Sequence, residues 1–137
     1  MKDGKVLVTR YLDEIVNRGQ FQVAGEILGD GFVNHTAGGG IGTGRDGFID
    51  SLRALRTAFP DWTVSIKAML AEGDFVSDHL SVRATHTGQA AGKPPTGERV
   101  SGELMHLWRL SNGRLVEGWY FGTPDLMLKV FAALSPA

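Results

Sequence analysis

The stretch Gly102-Glu-Leu-Met-His-Leu-Trp-Arg-Leu-Ser-Asn-Gly-Arg-Leu-Val-Glu-Gly-Trp-Tyr-Phe121 decides the fold. Asn112-Gly113 sits between two runs of alternating side chains and supplies the positive φ angles of a tight hairpin turn. The first run places Leu104, His106, Trp108 and Leu110 on one face. The second places Leu115, Glu117, Trp119 and Phe121 together, with Val116, Gly118 and Tyr120 opposite. His106, in line with a tryptophan and leucines, is either a satisfied core residue or part of a pocket. The functional question turns on which.

Working outward, the period of two continues upstream. Trp62, Val64, Ile66, Ala68 and Leu70 alternate with Thr63, Ser65, Lys67 and Met69, which predicts a half-buried strand. Glu72-Gly73-Asp74 makes a turn into a long strand from Phe75 to Thr87, with Val76, Leu80, Val82, Ala84 and His86 on one face. Asp78 interrupts that apolar face. A carboxylate there requires a partner or a cavity, with Arg83 and Arg109 as cross-strand candidates.

The N-terminal half has a different period. Leu7, Val8, Tyr11, Leu12, Ile15 and Val16 recur at three and four, predicting an amphipathic helix over 6–18 that Gly19 ends. A short second helix is expected over 21–28. After the Gly29-Asp30-Gly31 break, Phe32-Val33-Asn34-His35 leads into a glycine-rich connector over 38–44. That connector lacks a substantial preceding strand and the Lys-Ser/Thr pair of a phosphate-binding loop. Thr43 with Asp46 resembles a weakened capping box for the next helix, whose stripe is Phe48, Ile49, Leu52, Leu55 and Phe59. Pro60-Asp61 ends it. A last apolar run, Leu126–Leu134, is a final helix or a dimer contact. Helices first and an antiparallel meander after them mean an α+β domain spanning 1–137, a curved sheet wrapped over helices.

Bulk composition excludes several classes. The 137 residues carry a net charge of -1 with no basic stripe, so nucleic acid is not an expected partner. With no cysteine there is no disulfide or thiolate chemistry. No apolar run reaches membrane-spanning length, and no membrane partner is expected; a cytoplasmic location is.

With the pieces in order, Phe32-Val-Asn-His35, Gly44-Arg-Asp-Gly47, Phe59-Pro-Asp61, Ala71-Glu-Gly-Asp74, Thr85-His-Thr-Gly88, Gly92-Lys-Pro-Pro-Thr-Gly97 and Asn112-Gly-Arg-Leu-Val-Glu-Gly-Trp119 carry a resemblance. The chain resembles the SnoaL-like polyketide cyclases of the nuclear-transport-factor-2-like superfamily over nearly its whole length. The resemblance implies a cone-shaped α+β barrel with an internal apolar pocket, a homodimer built on the sheet, and no cofactor. It also implies acid-base chemistry on a small apolar or aromatic carbonyl compound, as in aldol ring closure; hydrolases and hydroxylase-like proteins share the superfamily. The cyclases pair a histidine with an aspartate that directly follows the last-strand tryptophan. The histidine matches His106, the aspartate position is Tyr120, and a later family aspartate looks most like Asp125.

Candidate catalytic residues are therefore His106, Asp61, His35 and Asp125. An imidazole exchanges protons near neutrality, and a carboxylate in an apolar pocket becomes a usable base. Against this, Asp61 also reads as a helix-to-strand turn residue. Candidate substrate-binding residues are Tyr120, Trp108, Trp119, Trp62, Phe59, Phe48, Phe32 and His86, most of which ordinary core packing would also explain. Tyr120 as a phenol suits oxyanion stabilisation or binding rather than proton abstraction. No histidine spacing matches a metal motif, and no metal is expected. An enzyme and a non-catalytic binding or assembly protein are both open. A carboxylate within reach of His106 would favour the former.

Overall fold

The computed structural model describes residues 4–36 and 41–135. The first helix begins as α1 (Gly4–Arg10) and widens into a π-helical stretch, Tyr11–Asn17, whose Tyr11, Leu12, Ile15 and Val16 are all buried. Gly19, at φ +67°, reverses the chain where a side chain would be strained. A 3₁₀ turn (Phe21–Val23) and α2 (Ala24–Ile27) follow in place of one short helix. Then come β1 (Leu28–Asn34), α3 (Arg45–Ala58), β2 (Thr63–Glu72), β3 (Phe75–Thr85), β4 (Arg99–Ser111), β5 (Arg114–Gly122) and α4 (Pro124–Leu134).

Among the described residues the strands form one five-stranded sheet in the order β1-β5-β4-β3-β2. The hairpin turn is as the sequence predicts, with Asn112 and Gly113 both at positive φ. The expected cone-shaped barrel is not what forms. β1 pairs only with β5 and β2 only with β3, so the edges never meet and the sheet is neither closed nor strongly curled. Nor is it purely antiparallel, because β1 runs parallel to β5. Its core face is covered by the first helix, α3 and α4, and the buried cluster runs from Leu7 and Val8 through Leu55 and Phe59 to Val130 and Leu134. The β2 edge is tied to the first helix by Asn17, whose amide donates to the Val64 carbonyl and accepts its N–H.

Two bulges alter the expected faces. In β2 the register slips between Ile66 and Ala68, so Met69 turns toward Asp78 and Leu70 becomes 72% exposed. In β5 a slip opposite Arg109/Leu110 leaves Leu115 fully buried on the core side, away from Glu117, Trp119 and Phe121. The expected capping box is also absent: Gly44 caps α3 without a side-chain bond. Of the glycine connector, residues 38–40 lie outside the described residues.

Candidate active site

β3 and β4 pair in register with Asp78 directly opposite His106. The Asp78 side chain is fully buried. Its Oδ1 accepts the His106 ring N–H at Nδ1 (2.9 Å) and the His106 backbone N–H (3.1 Å). Its Oδ2 accepts the indole N–H of Trp108 (3.0 Å). Trp108 in turn stacks on the imidazole, ring centres 4.8 Å apart and 18° from parallel. That stack depends on Gly118, Trp108's cross-strand neighbour, where a Cβ would come within 2.9 Å of the indole. A buried carboxylate held by three donors is satisfied. It also fixes the neutral imidazole as the Nδ1–H tautomer, leaving the Nε2 lone pair unused. Among the described residues Nε2 has no hydrogen-bond partner.

His106 lines a cavity of about 60 Å³ between the sheet and the helices. Phe48, Leu52 and Leu55 of α3, with Trp62 after it, form one wall; Met127 and Val130 of α4 form another. Besides His106, the lining side chains with a polar tip are Tyr11 and Tyr120 with their phenols and Trp62 with its indole N–H. The Tyr120 hydroxyl is buried with no partner among the described residues, and its ring centre lies 6.2 Å from that of the imidazole. Burial pushes its phenol above the usual value, so it stays a protonated donor. Tyr11 is pushed up further, by complete burial and then by the charges of Asp78 and Tyr120. Among the described residues no group of three His, Asp or Glu side chains converges as a metal site.

The other expected site residues lie apart from this cavity. Asp61 is exposed and accepts the backbone N–H (2.7 Å) and hydroxyl (3.0 Å) of Thr85, which hold its carboxyl below the usual range. Asp125 is exposed and pairs with Lys129 at 3.1 Å. His35 and Trp119 stack on the outer sheet face, where Glu117 bridges His35 (2.6 Å) and Arg109. Phe32 is buried between Phe48 and Trp108, and Trp108 lies beside the imidazole. Phe59 and His86 border a separate pocket. The structure thus brings His106, Tyr120, Trp62 and Phe48 together around one volume. It adds Asp78 and Tyr11. The signal for Asp78 was its interruption of an apolar face, though neither arginine answers it. Tyr11 carried no signal beyond the helical stripe.

The sequence profile of the family described as SnoaL-like polyketide cyclases matches residues 6–127. The chain belongs to that family. This SnoaL-like chain is 32% identical over 77 residues to nogalonic acid methyl ester cyclase of Streptomyces nogalater, an alignment spanning 56% of the chain and 58% of that enzyme. Its fold is similar to that of IdmH, a candidate polyketide cyclase from Streptomyces antibioticus (TM-score 0.79, 23% identity, 96% of this chain and 99% of that one). It is also similar to AclR, a candidate hydroxylase from Streptomyces galilaeus (TM-score 0.77, 26% identity, 97% and 83%). Solved structures of this fold are thus described with different candidate activities, and the site has to decide.

Proposed function

We propose that this SnoaL-like protein is a cofactor-independent acid-base enzyme acting on a small apolar or aromatic carbonyl compound, with aldol-type ring closure as its reaction. What carries the reading is a single arrangement: His106, oriented by a buried carboxylate, shares a cavity with the unpartnered hydroxyl of Tyr120. Nε2 of His106 takes a proton from a carbon flanked by carbonyls. The enolate oxygen accepts a hydrogen bond from Tyr120, whose raised pKa keeps the donor proton in place. The carbanion carbon then bonds to a second carbonyl carbon, whose C=O π pair becomes an alkoxide, and the alkoxide takes back the proton held on Nε2, returning His106 to its neutral form. Asp78 acts as a positioning group, filling the need for a carboxylate that the family meets at the place of Tyr120.

The binding-protein alternative is favoured by a histidine with no acidic neighbour, and here the neighbour is 2.9 Å away. A water-activating reading needs Asp61 and His35 in one place, and their partners, Thr85 and Glu117, lie in different parts of the sheet. A cavity of about 60 Å³ is smaller than the usual few hundred Å³ of ligand sites, so binding a polycyclic substrate requires the walls to part. Met127 of α4 is the most adaptable of the lining side chains.

The substrate of the Streptomyces nogalater relative, nogalonic acid methyl ester, serves as the first probe. His106→Ala, folded by circular dichroism, is expected to lower its cyclisation rate about a hundredfold or more. Unchanged turnover overturns the assignment. We further propose that the outer sheet face, where Met105 (50% exposed), Leu107 (40%) and Phe121 (70%) stand between charged networks, pairs with a second copy of the chain. Light scattering on Phe121→Glu, expected to be monomeric, checks it; an unchanged mass contradicts it.

A further inference from the structure

A second pocket, about 250 Å³, lies between the loop 88–98 and the last turns of α4. Phe59, Val100, Ala132 and Ala133 give it apolar walls, and Lys93 and Lys129 stand in its lining with Glu98 as the one carboxylate. The central cavity has Val130 of the same helix in its wall, so α4 separates two differently furnished spaces.

The pocket is held in shape by its backbone. His86 donates its N–H to the Glu98 carbonyl and accepts the N–H of Gly97. Gly88 donates to the Ala58 carbonyl and sits so close to α3 that a Cβ there would come within 1.6 Å of the Thr57 carbonyl oxygen. A side chain at position 88 would push the loop off the helix.

His86 is only 8% exposed, packs against Phe59 and lines the pocket. Its Nδ1 lies 3.2 Å from the Thr96 hydroxyl, which already accepts the Glu98 amide. When that hydroxyl gives its own proton to Nδ1, the imidazole proton sits on Nε2. That nitrogen is buried without a partner among the described residues. Lys93 donates to the Ala132 carbonyl of α4 and, among the described residues, has no carboxylate partner. Lys129 is shared between Glu98 and Asp125. An unpaired cation, a buried donor lacking an acceptor and an aromatic wall share one need: an anion on a flat apolar body.

We infer that this pocket binds a small aromatic carboxylate, its ring against Phe59 and Val100 and its carboxylate toward Lys93 and His86. The volume suits one or two fused rings, not a larger polycycle.

The test is an NMR titration of the full chain with 2-naphthoate and with uncharged 2-naphthamide. Naphthoate is expected to shift the amide signals of His86, Lys93 and Ala132 saturably. Naphthamide is expected to bind about tenfold more weakly, the scale of one lost charge-assisted hydrogen bond. Lys93→Met should show a similar loss and Lys93→Arg should recover most of it, with melting curves reporting that both stay folded. Equal affinity for the two probes, shifts centred on Tyr120 and Met127 instead, or no response at millimolar naphthoate would each overturn the assignment. None of these outcomes depends on turnover at His106.

Discussion

Replacing Tyr120 by Phe should move stability and activity in opposite directions. Tyr120 is 8% exposed and its hydroxyl is buried without a partner among the described residues, so the folded state carries a polar group that water solvates in the unfolded chain. Removing such an orphan relieves about 1–2 kcal/mol. For a chain of this length that raises the melting temperature by about 3–7 °C. If the same hydroxyl is the donor that the enolate oxygen needs, its loss slows cyclisation about a hundredfold, the usual cost of one oxyanion donor. The assay pairs a thermal melt with turnover of nogalonic acid methyl ester. A melting temperature that falls would mean the hydroxyl is satisfied in the native state. Unchanged turnover would remove Tyr120 from the chemistry.

Asp78→Ala strips the acceptor from the Trp108 indole, the His106 ring and the His106 backbone, and should cost about 3 kcal/mol in urea unfolding. Gly88→Ala should destabilise by more than about 2 kcal/mol, because a backbone carbonyl rather than a flexible side chain occupies the Cβ position. Asp61→Ala should lose a fraction of about 1 kcal/mol near neutrality, since solvent screens an exposed carboxylate. Since the folded Asp61 carboxyl is held below its ordinary value, that loss is present above the unfolded pKa and disappears as pH falls through the folded one. At the alkaline end, Tyr11 and Tyr120 keep their protons in the folded state while the unfolded chain releases them above pH 10.0. Stability should therefore fall as pH rises past that point, and Tyr11→Phe should flatten the decline.

The hairpin was legible because Asn112-Gly113 is a local signal, and α3 because its stripe outlasts any short-range competitor. β1 was not legible. Leu28-Gly-Asp-Gly has poor strand propensity, and the segment becomes a strand only by pairing with β5, more than eighty residues away. Both bulges escaped for a related reason. One extra residue at Lys67 or Val116 leaves composition and alternation almost untouched while inverting every face beyond it, so Leu70 and Leu115 were each placed on the wrong side. Of the site, His106 and Tyr120 were readable from the resemblance and the alternation. Asp78 was readable as an anomaly, but its partner was not: the nearest opposite charges in sequence pattern were arginines that point to the outer face. Closure of the sheet depends on what the edge strands meet, which no local pattern encodes.

The most direct measurement is the long-range ¹H–¹⁵N NMR spectrum of His106, which reports which ring nitrogen carries the proton without requiring a substrate. In the neutral ring Nδ1 should be protonated toward Asp78 and Nε2 bare, with Asp78→Asn shifting the balance between them. A neutral His106 found with its proton on Nε2 would leave no base facing the cavity and would contradict the account.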